Sequence, residues 1–270
     1  MCIRDRRTDF SPILEVHEVV VHTAAIAHKA PPTRDSGLNY VETFNFEVVA
    51  RIASAAVQTG VRQIVFLSSI AVHGPATSGV ATVESSKINP VTQYGHCKWK
   101  AETALRRCSE GTSTSWTVIR PAMVYGPESP GNFSRLVRIT KTGLPLPFRR
   151  VDNLRSLLSI VGLTDLIARC VGKTEAYNES FVASDAEPIS TPDIMESIAR
   201  GLKIEPRLWS LPPDILKYGG RLLRVEKTLS SLLDDNVVSP AKARERLGWQ
   251  PTTSTSAEIV RFLRHPDADN

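Results

Sequence analysis

QIVFLSS, residues 63–69, carries a β-branched apolar run onto a pair of serines. A helical pattern follows, roughly Val91 to Arg107, and WTVIR at 116–120 reads as another short buried strand. Working outward, EVVVHTAA at 18–25 has the same texture, a β-branched run that ends in small residues. From Val41 the spacing of Phe44, Val48, Ile52 and Ala55 keeps one helical face apolar, and Gly60 sits where a left-handed cap is wanted. Strand and helix thus alternate, which predicts an α/β fold with a parallel sheet. Beyond Gly126 the texture changes to frequent Pro and Gly and to short helices. Thr191-Pro192 and Ser239-Pro240 each place a hydroxyl before a proline suited to a first helical turn. The expected organisation is a dinucleotide-binding type domain over 8–127 and a smaller lobe over 128–270, with the apolar run at 180–185 returning to the main sheet. The opening residues 1–7 have no hydrophobic period and read as a scar outside the fold.

The 270 residues, 41% apolar and 23% charged, suffice for a substantial core. A net charge of +5 would admit an anionic ligand, but Lys and Arg are dispersed rather than gathered in a stripe, which argues against nucleic acid. Cysteines at 2, 97, 108 and 170 form neither a C-x-x-C pair nor a metal-ligand spacing, so no metal is expected and a reducing, cytoplasmic setting is. No apolar run approaches the roughly 18 residues of a membrane span.

Tyr94 and Lys98 stand four apart in the predicted helix, so phenol and ammonium share one face. Taken alone, that is equally the pattern of a solvated helix. Its neighbours in sequence raise its interest: Ser68-Ser69 ends the preceding strand, and RPAMVYGP at 120–127 follows the next one, at strand and helix ends where an α/β site forms.

FLSSIAVHG at 66–74, YGHCK at 94–98 and VIRPAMVYGP at 118–127 together resemble the extended short-chain dehydrogenase/reductases, the NAD-dependent epimerase/dehydratase family. The resemblance runs from about Val19 to the end, where SPAKARERLGWQP at 239–251 is similar to a C-terminal signature of that family. GLPLP at 143–147 and NLRSLLSI at 153–160 look most like bacterial UDP-sugar 4-ketoreductases, of the UDP-N-acetylquinovosamine dehydrogenase type, and 4-epimerases. The resemblance implies a Rossmann-like doubly wound parallel sheet with an interleaved substrate lobe, NAD or NADP as cofactor, a nucleotide-sugar as substrate and a place in O-antigen synthesis. It admits a homodimer.

It also implies roles. Tyr94 would exchange a proton with the sugar oxygen while a hydride passes between sugar and nicotinamide; Lys98 would favour the phenolate and hold the nicotinamide ribose; Ser69 would hold the reacting oxygen. Ala24 and Ala25 resemble the small residues beneath the cofactor, and Pro121 matches the loop flanking the nicotinamide. Asn132 would face the sugar nucleotide, besides an ordinary role as N-cap of a helix ending at Gly143, and Arg155 would pair with the diphosphate. Arg149 and Arg150 read as surface charges, and Leu144 to Pro147 would lie beside the uracil. His73 departs from the Tyr of the family pattern and is expected as a hydrogen-bonded pocket residue rather than a catalyst.

No glycine precedes Gly37, so the glycine turn that a dinucleotide fold sets after its first strand is missing, and Val19 to Val21 matches the family's fourth strand. A sequence truncated by roughly 50 to 60 residues is the expectation. A steroid- or flavonoid-type ketoreductase, or a non-catalytic nucleotide sensor on the same fold, are the competing readings.

Overall fold

The computed structural model describes residues 8–27, 37–75, 79–127, 129, 131–212, 215–216, 218, 232–251 and 254–264; the opening residues 1–7 lie outside them. A short helix α1, Ser11–Leu14, precedes strand β1, Val19–His22. Helix α2, Gly37–Glu42, runs through a π-helical turn, Thr43–Glu47, into α3, Val48–Gln58, and Gly60 takes the left-handed cap with φ +75°. Strand β2, Gln63–Leu67, is followed by a 3-10 turn, Ile70–His73, and then by α4, Gln93–Ser109. Strands β3, Ser115–Pro121, and β4, Met123–Tyr125, lead to α5, Asn132–Lys141; β5, Leu157–Ser159, leads to α6, Ile160–Cys170. Strand β6, Glu179–Ala183, precedes α7, Thr191–Leu202, α8, Ala241–Leu247, and α9, Thr255–Arg264.

The main sheet has the order β1-β2-β3-β6 and every pair in it is parallel. Buried Val49, Ile52, Ala56, Ala101 and Leu105 cover one face together with Phe10 and Leu14, while Leu163, Leu166, Cys170, Ala243 and Trp249 cover the other. Helices on both faces follow from right-handed crossovers between parallel strands. β4 and β5 form a second, two-stranded parallel sheet. The core beneath it joins Tyr125, Phe133 and Leu146 to Ile194, Ile198, Ile259 and Phe262, an apolar centre separate from the two that flank the main sheet. Tyr125 ties the two layers: its buried hydroxyl donates to Asp185 Oδ2 at 2.6 Å, and Asp185 Oδ1 accepts from the Ser159 amide at 3.0 Å.

Helix boundaries correct three capping expectations. Asn132 is the first residue of α5, and its cap is Gly131 with no side-chain bond. Ser190, not Thr191, caps α7 by accepting from the Asp193 amide. Ser239 caps nothing, because Pro240 holds the cap position of α8. In each case backbone geometry moved the boundary by one residue, which changes which hydroxyl faces the free amides. No described helix is long and apolar enough to cross a membrane.

Candidate active site

The site forms at the carboxyl ends of β1, β2 and β3. Ser69 follows β2 with extended backbone (φ −161°, ψ 151°), and its hydroxyl accepts from the Ala71 amide at 3.2 Å, which starts the 3-10 turn. Thr92 caps α4 through the Gly95 amide at 3.1 Å, so Tyr94 and Lys98 fall in the first two turns of that helix. Gly95 decides how near the helix can come. A Cβ there would lie 2.6 Å from the Ala71 carbonyl oxygen, closer than real side chains approach, so only glycine lets α4 seat against the serine turn.

The close approach brings the Ser69 side chain up to the Tyr94 hydroxyl. Burial pushes the Tyr94 phenol above its ordinary value, and the neighbouring Ser69 side chain works against that rise. Lys98 is 1% exposed, donates to the Leu67 carbonyl at 2.8 Å, and sits 4.6 Å from the centroid of Phe66 and 5.9 Å from that of Tyr94. Burial pulls its ammonium down to about 8, with the Glu102 carboxylate opposing. The ammonium is turned toward the Leu67 carbonyl, and burial is the larger influence on the Tyr94 phenol.

Ala24 and Ala25 are exposed just past β1, where a side chain no larger than a methyl leaves the strand end open. The next residue is clamped: Asn45, fully buried in the π-helical turn, donates to the Ile26 carbonyl and accepts from its amide, both at 2.8 Å. His22 is stacked on Phe66, and its buried Nε2 has no hydrogen-bond partner among the described residues. Burial and the nearby Lys98 ammonium push that imidazole down to about 4, so it is neutral. Pro121 is buried at the end of β3. An open strand end, an unpartnered ring nitrogen and a buried ammonium fit the nicotinamide-ribose half of a dinucleotide. For the pyrophosphate, the described residues supply no glycine turn leading into a helix.

His73 is pinned rather than free. Its Nδ1 lies 3.2 Å from the Lys87 carbonyl and its Nε2 3.0 Å from Arg120 Nη1. Arginine can only donate, so Nε2 accepts and Nδ1 carries the proton. Burial, then the Arg120 charge, lower its pKa and keep the ring neutral.

The residues expected on the substrate side lie in the lobe. Asn132 is half-buried at the start of α5. Arg155 is bridged by its backbone to Ile189 and Asn236, and its Nη1 donates to the Asp234 carbonyl at 3.2 Å. Its charge faces Asp234 and Asp235. No described hydrogen bond joins either residue to Ser69, Tyr94 or Lys98. Leu144 is 61% exposed, whereas Leu146 is buried in a bridge to Leu208, so 144–147 is half core and half surface. Arg149 and Arg150 are exposed.

Sequence reading passed over Glu102 and Arg120, both buried and joined by two hydrogen bonds of 2.6 and 3.0 Å. Glu102 lies one turn after Lys98, next to buried Ala101 and near buried Leu105; a charge on so apolar a face was the available signal.

Residues 3–178 match the profile of the NAD dependent epimerase/dehydratase family. UDP-glucose 4-epimerase of Vibrio cholerae is 34% identical over 248 residues, 90% of this chain and 75% of that protein. N-acetyl-alpha-D-glucosaminyl-diphospho-ditrans,octacis-undecaprenol 4-epimerase of Escherichia coli O157:H7 is 24% identical over 178 residues, 65% of this chain and 53% of that one. Among solved structures, MoeE5 in complex with UDP-glucose and NAD superposes with a TM-score of 0.74 at 19% identity, covering 96% of this chain and 83% of that chain.

Proposed function

The chain belongs to the NAD dependent epimerase/dehydratase family, and on that premise we propose that it works with NAD at C4 of a UDP-activated sugar, as an epimerase or a 4-ketoreductase. The observation that carries this reading is the seating of α4 against the serine turn, which gathers Ser69, Tyr94 and the buried Lys98 at one place. The name of the Vibrio cholerae relative and the NAD and UDP-glucose bound to MoeE5 support the substrate and the cofactor.

Tyr94 moves the proton at the C4 oxygen. Its phenol is held protonated by burial, so positive charge must favour the phenolate when the proton leaves, and Lys98 supplies part of it. Ser69 would hold the reacting oxygen beside Tyr94. When bound, the dinucleotide accepts and returns a hydride at the sugar carbon. Ala24, Ala25 and Pro121 would flank it, and Lys98 would hold its ribose. Asn132 and Arg155 would face the nucleotide diphosphate from the lobe. The setting we assign is the cytoplasm and the making of cell-surface polysaccharide, a use supported by the name of the Escherichia coli relative; a homodimer is the assembly to look for by light scattering.

Product analysis separates the two reactions. Protein incubated with UDP-glucose and NAD should give the C4 epimer without net NADH if it is an epimerase, and a 4-keto sugar with stoichiometric NADH if it is a dehydrogenase. Absence of both products across UDP-hexoses and their N-acetyl forms would reject the reading.

A further inference from the structure

Glu102 has no part in the proton transfer, yet its partners stand beside every element that has one. Its Oε1 accepts from Ser68 Oγ at 2.6 Å and from Arg120 Nε at 3.0 Å; its Oε2 accepts from Arg120 Nη2 at 2.6 Å and from Arg106 at 3.0 Å. Ser68 is the neighbour of Ser69, Arg120 the neighbour of Pro121, and Lys98 lies one helical turn before Glu102. Arg120 Nη1 also reaches His73, at the end of the turn that Ser69 begins, and donates to the Glu84 carbonyl at 3.3 Å. A cluster this buried fixes geometry, because each donor it holds would be costly to leave unpaired.

We propose that Glu102 is the positioning residue of this site, setting the Ser69 turn through Ser68, the end of β3 through Arg120, and serving as counter-charge to the buried Lys98. The inference rests on the reading of Tyr94 as the proton-transfer group. Lys98 is faced by Tyr94 and Glu102 of α4, by His22 of β1, and by the Phe66 ring and Leu67 carbonyl of β2. Of these, Glu102 is the group that opposes the loss of its proton through burial.

Two variants separate the roles. Glu102→Gln keeps size and removes charge; Ser68→Ala keeps the charge and cuts the link to the serine turn. The Lys98 ammonium is titrated by NMR in protein labelled at lysine Nζ, without ligand, and turnover of UDP-glucose is measured beside it. Glu102→Gln should lower the Lys98 midpoint by about 1 pH unit or more, and cut kcat at least ~10-fold while KM for UDP-glucose moves less than ~3-fold. Ser68→Ala should leave the midpoint within about 0.3 pH units and lower kcat ~10-fold. An unmoved midpoint in folded Glu102→Gln, or full turnover in Ser68→Ala, overturns the proposal. If Glu102→Gln does not fold, Ser68→Ala decides. Tyr94→Phe serves as the control. Full activity in that variant sinks the reading of Tyr94, whereas an inactive Tyr94→Phe beside unaffected Glu102→Gln and Ser68→Ala sinks only the role of Glu102.

Discussion

Replacing Lys98 by methionine should make the protein more stable at neutral pH and nearly inactive. The ammonium is 1% exposed, and burial lowers its pKa from 10.5 to about 8. That gap corresponds to roughly 3 kcal/mol spent on keeping the charge inside the fold. The sign follows from proton counting. Between about pH 8 and 10.5 the unfolded chain binds more protons at this site than the folded one, so wild-type stability rises with pH across the window, and below about 8 the cost is present in full. Methionine fills much of the same volume without charge, which removes the cost. Against this, the Leu67 carbonyl loses the donor now 2.8 Å away, a loss of about 1–3 kcal/mol. At pH 7 the variant should lead by on the order of 1 kcal/mol, and raising the pH to 10.5 should move the comparison about 3 kcal/mol in favour of wild type. Urea unfolding of both proteins at the two pH values reads the difference directly, since titrating groups that do not face Lys98 cancel. A stability difference that stays constant between them would refute the assignment of Lys98 as a buried, strained charge.

Two further changes test neighbouring links. Gly95→Ala puts a methyl 2.6 Å from the Ala71 carbonyl oxygen; the helix must back away from the serine turn, with a destabilisation of about 1–3 kcal/mol and a fall in kcat of roughly 10-fold or more, checked by thermal melting and steady-state kinetics. Arg155→Ala should weaken UDP binding by roughly 1.5–3 kcal/mol if the guanidinium meets the diphosphate. Calorimetry showing unchanged UDP affinity would leave Arg155 as a clamp on the Asp234 and Asp235 turn.

The strand signals in the sequence were strong where burial is complete. QIVFL spans β2 to the residue, and WTVIR lies within β3, because each run is buried on both sides of a parallel sheet. EVVVHTAA reads longer than β1, which ends at His22; Thr23, Ala24 and Ala25 leave the sheet and are exposed. The helical stretch before β2 starts at Gly37 rather than Val41, and its π turn over Thr43–Glu47 offsets the apolar period that a 3.6-residue search relies on. Capping was off by one residue at α5, α7 and α8, since the choice of cap between adjacent residues rests on backbone angles. Tyr94, Lys98 and Ser69 were visible as residue types at the right spacing. The network around Glu102 was not, because Arg120, His73 and Ser68 converge on it only once β2, β3 and α4 are assembled.

The most direct measurement is turnover of a UDP-sugar by the protein and by its Tyr94→Phe variant, with NAD present and products resolved by NMR. The substitution removes the hydroxyl beside Ser69 and leaves the ring facing Lys98. With Tyr94 as the group that moves the proton, the protein converts the sugar at C4 and the variant is slower by about 10²- to 10⁴-fold. A variant that keeps more than about half of the wild-type rate, against that expected loss, would contradict the account.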